Sequence, residues 1–397
     1  MQQKLATSGG SVEMELLLAA SRIPFPAASS CMAARSSLQA INWPRLQEMA
    51  AWHGLLPLLS KYLESFAPGE IPGQVQLAMR EQSRQAGLRN LLLASELLGI
   101  SHHLNSKGIE HLAYKGPVLA SQLFGTLGLR VSGDIDLLVP ESQRLQAREA
   151  LEGFGFVDAN QFSESQLAAV FHYGFEHSFR RRGVEVDLHW RPVSRFASPS
   201  LDEKGIWQRA IAVPFSGQNI RTFSPEDLLV ALCLHAAGHE WAILSNFCDI
   251  GLLLNANPAM RWEIVRRHLA DTNTRRMFLV SMCLVSRHWS PLIPHDLAAE
   301  IAADREVANI ANKIENGVWP ESGLGLVFQK PLRWAWERTR GEAARDRLRY
   351  IAGVTIGPTI IDFETFKLPR PLIPLYPVLR GARLGLKYFR GAGQQSA

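Results

Sequence analysis

The sequence predicts an α+β chain: a small mixed sheet with helices, flanked by helical regions on its N- and C-terminal sides. Three observations carry this. Apolar residues recur at three-and-four spacing through the first hundred residues. The pattern then changes to short alternating runs separated by Gly and Pro, and from Ser224 the helical spacing returns.

The elements follow in order. "VEMELLLAASRI" and "WPRLQEMAAWHGLLPLLSKYLESF" read as helices, with a Pro/Gly break at Ala67–Gly73. "QVQLAMREQSRQAGLRNLLLASELLGISHHLNSKG" reads as one long helix stopped near Gly108. "IEHLAY" is a short strand, and "GPVLASQLFG" a helix with Pro117 tolerated in its first turn. "DIDLLV" is a second strand, "SQRLQAREALEGFG" a helix and "FVDA" an edge strand. "FEHSFRR" and "VEVDLHW" both alternate and are joined at Arg181-Arg182-Gly183 as a hairpin. Ser224-Pro225-Glu226-Asp227 is a helix start: a capping serine, a proline at the first position and acids in the first turn. Helices are expected to continue to about Arg349. The expected divisions are an N-terminal helical region over 1–107, a core over 108–215, a C-terminal helical region over 216–349 and a Pro/Gly-punctuated basic tail over 350–397.

Composition narrows the class. With 397 residues, 47% hydrophobic and 20% charged, the chain has ordinary globular composition. No run of 18 apolar residues occurs, so no transmembrane helix is expected, and the N-terminus lacks a signal-peptide layout. Cys31, Cys233, Cys248 and Cys283 show no C-x-x-C spacing, which speaks against zinc and disulfide frameworks and fits a reducing cytoplasm. The net charge of +5 comes from the tail, where six basic residues and no acid follow from Lys367, leaving the rest near −1. The body has no basic groove that the sequence shows, so template nucleic acid is not an expected partner.

The candidate chemistry lies in the core. Asp134 and Asp136 stand one residue apart at the start of an apolar strand, so both side chains leave on one side, which is costly unless a cation such as a divalent metal sits between them or the pair lies in a solvated turn. Lys115-Gly116 ends a strand and begins a helix, where glycine permits close backbone approach and the helix N-terminus attracts anions. Asp187 shares one strand face with Glu185 and His189, opposite Val184, Val186, Leu188 and Trp190. Carboxylates on adjacent strands beside a glycine turn are what phosphoryl chemistry with Mg²⁺ needs: hard oxygen ligands, a metal clamp on the reacting oxygens and a carboxylate to draw a proton from an acceptor hydroxyl.

"KGPVLASQLF…LRVSGDIDLLV", followed by "VEVDLHW" and "LCLHAAGHEWAILSNFCDIGLLL", resembles a family of uncharacterised bacterial nucleotidyltransferases of the DNA polymerase β-like superfamily, over about Asn90–Leu254. The resemblance implies a polymerase β-like core. It implies Asp134, Asp136 and Asp187 as catalytic metal ligands for Mg²⁺, with Mn²⁺ as a substitute. Lys115 and Gly116 would meet the phosphates of an NTP, and Arg130 would meet a phosphate or pin the loop. The activity implied is transfer of an NMP from an NTP to an unidentified acceptor, a small molecule, glycan precursor or protein, with release of pyrophosphate. "KG" stands where the superfamily usually has "GS" or "GG", so the serine that helps hold a phosphate is absent. The alternative is a catalytically inactive nucleotide-binding or partner-binding protein that keeps the fold.

Other residues carry blander expectations. His235 and His239 share a helix face, and packing against the core is expected before metal binding. Asp249 belongs to the matched pattern without a role derived from it. His189 touches substrate or makes a structural hydrogen bond. Arg180, Arg181 and Arg182 form a solvated turn, with anion attraction as the lesser reading. The tail is expected to wrap back onto the body, with contact to an anionic membrane surface the lesser alternative.

Overall fold

The computed structural model describes residues 11–25, 41–67, 69–192, 203–272, 274–319 and 344–393. Cys31 lies outside them. Helices α1 (Val12–Ala20), α2 (Trp43–Trp52) and α3 (Leu56–Phe66) precede α4 (Gly73–Ser106), a single helix of 34 residues. It stops where expected: Gly108 turns left-handed at φ +68° and the Ile109 amide returns to the Leu104 carbonyl.

Five strands form the main sheet: β1 (Leu112–Ala113), β2 (Ile135–Leu138), β3 (Val157–Asp158), β4 (Glu176–Arg181) and β5 (Val184–His189), in the order β1-β2-β5-β4-β3. The β2–β5 pair is parallel and the other pairs are antiparallel, so the sheet is mixed. β2 sits inside the sheet and every residue of Ile-Asp-Leu-Leu is buried. The β4–β5 hairpin turns through Arg182 and Gly183, both at positive φ, as a two-residue loop requires. Three helices pack with the sheet: α5 (Gly116–Phe124), α6 (Arg144–Gly153) and α7 (Glu164–Tyr173). The α+β architecture stands as the sequence indicates.

After α8 (Glu203–Arg209) comes a second, two-stranded sheet of β6 (Ile211–Phe215) and β7 (Gln218–Thr222). Then follow α9 (Pro225–Gly238), α10 (Leu244–Ala256), α11 (Trp262–Thr272), α12 (Arg275–His288), α13 (His295–Ala303) and α14 (Arg305–Lys313). Ser224 caps α9 as predicted, its Oγ accepting the Asp227 amide. His53 closes the start of α10 from afar: its buried Nδ1 accepts the Leu244 amide at 3.3 Å.

Two hydrophobic cores result. One joins α1–α3 to α9–α14, so the helical flanks share packing, and Leu112, Tyr114, Leu119 and Leu138 from the sheet region enter it. The other lies over the sheet and takes in Leu93, Leu97 and Leu104 of α4. The chain end departs from the expected punctuated tail. It forms α15 (Ala344–Ile356), α16 (Ile360–Thr365), a 3₁₀ stretch at Arg370–Leu375 and α17 (Tyr376–Gly393). Pro369 caps the 3₁₀ stretch, Pro371 and Pro374 lie within it, and Pro377 falls in the first turn of α17, where a missing N–H is harmless. Phe363 and Tyr376 are buried in the sheet-side core. Arg380 and Arg383 turn onto the buried Asp362 at 3.0 and 2.7 Å. No helix among the described residues is long and apolar enough to cross a membrane.

Candidate functional site

The site forms where β2 and β5 run in parallel. Their register pairs Asp136 with Asp187. Neighbouring strands lie about 4.8 Å apart, and paired residues point to one face, so the two carboxylates are side by side. Asp136, Asp187 and His189 bring one ligand atom each within 4.8 Å of one another. Asp134 stands immediately ahead of β2, half-buried, and does not join that group.

Lys115 precedes α5 and reaches into this group. Its Nζ lies 2.6 Å from Asp136 Oδ1, with the lysine 13% and the aspartate 4% exposed. His189 Nε2 meets the same oxygen at 3.1 Å, and its Nδ1 lies 3.0 Å from Glu176 Oε2. Ser178, across the hairpin from Asp187, donates its hydroxyl to Asp187 Oδ1 at 2.5 Å. Tyr114 lies edge-on to His189 and stacks on Phe223. Glu176 and Ser178 come from an alternating strand whose exposed face gave no sign of its target; Tyr114 read as an ordinary strand residue.

Gly116 is at φ +55°, and a Cβ there would meet the Asp134 carbonyl oxygen at 2.8 Å. Only glycine lets α5 begin against the acidic strand. No side chain caps the start of α5, so its first-turn amides are unclaimed by a capping group.

Electrostatics separates the carboxyls. Burial would raise Asp136, but the Lys115 charge and the His189 hydrogen bond hold it well below the ordinary carboxylate range. Asp134 is pushed up to about 6 by burial and by the charges of Asp136 and Asp187. Asp187 is raised, chiefly by burial, against the hydrogen bond from Ser178. His189 is raised to about 9, because Glu176 and Asp136 outweigh the effect of burial.

Arg130 is placed elsewhere. Its Nε lies 3.0 Å from both Asp249 carboxylate oxygens and its Nη2 2.9 Å from Oδ2. Its Nη1 donates to the Gly116 carbonyl at 3.4 Å and to Ser132 Oγ at 3.2 Å. The Asn90 side chain binds the Arg130 carbonyl. Arg130 therefore pins the loop before Asp134 to α5 and α10, and Asp249 gains the role its sequence did not disclose. His235 of α9 lies 3.5 Å from Lys115 through Nδ1 and so packs against the core, while the His239 ring, tilted beside it at 4.5 Å, is exposed. Arg181 is anchored on Glu96 at 3.0 Å and lies over the Phe154 ring, and Arg180 pairs with Glu185. Arg181 is held by these contacts, while Arg180 and Arg182 stay exposed at the turn, as a solvated turn would have them.

A mixed α+β sheet carrying paired aspartates beside a glycine-bounded helix start defines the class of protein. The chain belongs to a family described as uncharacterised nucleotidyltransferases, whose model matches residues 39–290. No curated protein matches it. Among solved structures it is similar to the antibiotic-resistance factor ANT(2'')-Ia, with 15% identity over 47% of this chain and 94% of that one, at a TM-score of 0.31. It is also similar to an antigenic nucleotidyltransferase-like protein from Paracoccidioides brasiliensis, with 17% identity over 50% and 92% of the two chains, at a TM-score of 0.30.

Proposed function

We propose that the protein is a metal-dependent nucleotidyltransferase that moves an NMP from an NTP to an acceptor and releases pyrophosphate. The observation that carries the reading is the in-register pair Asp136 and Asp187 on parallel strands, facing the uncapped start of α5. Carboxylate oxygens from Asp136 and Asp187 suit a hard divalent cation such as Mg²⁺ or Mn²⁺, and His189, the third member of the group, is engaged with Asp136 through Nε2. Gly116 lets the start of α5 lie against the Asp134 backbone, and an uncapped helix N-terminus suits a phosphate-bearing ligand.

In this reading Asp136 and Asp187 hold the cation. When bound, it would neutralise phosphate charge and polarise the reacting phosphoryl oxygen. The amides at the start of α5 receive the triphosphate. Lys115 keeps Asp136 ionised and fixed. Asp134, outside the tight group and raised to about 6, would take the proton from an acceptor hydroxyl as that hydroxyl oxygen forms a bond to the α-phosphorus and the α–β bridge breaks to release pyrophosphate. Arg130 acts through the loop, holding Asp134 and Gly116 in place through Asp249 and Ser132.

The acceptor class is left to experiment: a small molecule, a glycan precursor or a protein. The test incubates the full chain with each of the four NTPs, Mg²⁺ and fractionated acceptor pools, and measures pyrophosphate. Release by the wild type that falls at least about a hundredfold in Asp136→Asn and Asp187→Asn is expected for carboxylates acting on the reacting centre. Nucleotide binding without release in any pool would favour the rival reading, a nucleotide-binding protein without turnover. The Lys115–Asp136 pair at 2.6 Å is the observation that keeps that rival in view.

A further inference from the structure

Lys115 is a buried cation at the centre of the carboxylate cluster, and both chain neighbours and side-chain contacts fix it. It stands between β1 and α5, directly before Gly116, whose left-handed backbone lies against Asp134. Its ammonium is 2.6 Å from Asp136 Oδ1 and 3.5 Å from His235 Nδ1. The sheet and the helical region thus hold it from two sides. His189 Nε2 meets the same Asp136 oxygen at 3.1 Å. Both contacts fall on Oδ1.

A shared carboxylate in a two-metal site would give an oxygen to each of two cations about 3.5–4 Å apart. Here Oδ1 already carries an ammonium at the distance of a strong charge-assisted hydrogen bond. A lysine is a compact point charge on a flexible stem, and this one is held in place by Asp136 and His235. We infer that Lys115 stands in one of the two cation positions of a two-metal carboxylate site, so that the protein takes a single divalent cation, with Asp136 Oδ2 and Asp187 as its carboxylate donors. The inference rests on the metal-dependent reading given above.

The experiment counts Mn²⁺ bound per full-length chain by equilibrium dialysis, with and without inorganic tripolyphosphate. The wild type and Lys115→Arg are expected to bind one Mn²⁺ at saturation, and Lys115→Met, folded by circular dichroism, two. Two Mn²⁺ in the wild type would overturn the inference and leave the metal-dependent reading standing. One Mn²⁺ in folded Lys115→Met would also overturn it. No Mn²⁺ in the wild type under either condition would overturn the metal-dependent reading and this inference together.

Discussion

Replacing Arg130 by Met would leave Asp249, which is 1% exposed, as a buried carboxylate without its counterion. Three N–O contacts of 2.9–3.0 Å would be lost, together with the bonds to Gly116 and Ser132. Breaking a buried pair from one side typically costs about 3–5 kcal/mol, because the remaining charge is uncompensated. Each single change, Arg130→Met or Asp249→Leu, is therefore expected to lower unfolding stability by roughly that amount. The double variant removes both charges and keeps similar volumes. It should recover most of the loss, ending within about 1–2 kcal/mol of the wild type, so the coupling between the sites is about 3 kcal/mol or more. The assay is urea denaturation followed by tryptophan fluorescence, run as a double-mutant cycle. Single changes that cost under about 1 kcal/mol, or losses that simply add, would refute the assignment of Arg130 as the pin of this loop.

Two further outcomes follow from the same geometry. Gly116→Ala places a non-glycine residue at φ +55° and a Cβ 2.8 Å from a backbone oxygen; the left-handed backbone alone costs about 1–2 kcal/mol, so a measured loss below about 0.5 kcal/mol would contradict the close approach drawn at the helix start. Asp227 is held at about 2: burial opposes ionisation, and the bonds to His268, Arg209 and Ser224 overcome it. Its folded value is depressed, so its contribution of about 2 kcal/mol is present above about pH 4 and is lost as pH falls towards 2. Asp227→Asn should flatten the acid limb of the stability curve over that window, and an unchanged limb would show that the cluster does not carry it.

The fold was largely legible because its signals are local. The Ser224-Pro225 helix start, the Gly108 stop and the Arg182-Gly183 hairpin each rest on a few adjacent residues with one favoured backbone. Helix α7 and the β6–β7 hairpin do not stand out in the chain although their signals are present. Ser163 and Gln166 form a capping box at the start of α7, and Ser216-Gly217, both at positive φ, turn the β6–β7 hairpin. The tail returns onto the body as expected, but its prolines hide its helices, which packing of Phe363 and Tyr376 sustains.

The site was legible by residue type but not by partner. Asp136 and Asp187 can be nominated from spacing and strand faces. Nothing in the chain says that strand order puts β5 beside β2, which is what makes the pair. The partners of Lys115 and Arg130 lie further along the chain, on β2, α9 and α10. Such contacts depend on how separate elements dock, which no local pattern records.

The account stands or falls on whether this cluster holds a metal and a triphosphate together. The measurement is calorimetric titration of the full chain with each of the four NTPs, with and without Mg²⁺, beside the Asp136→Asn/Asp187→Asn variant. Binding that requires Mg²⁺ and disappears in the variant is the predicted result. No binding of any NTP by the folded wild type, or equal binding by wild type and variant, would contradict it.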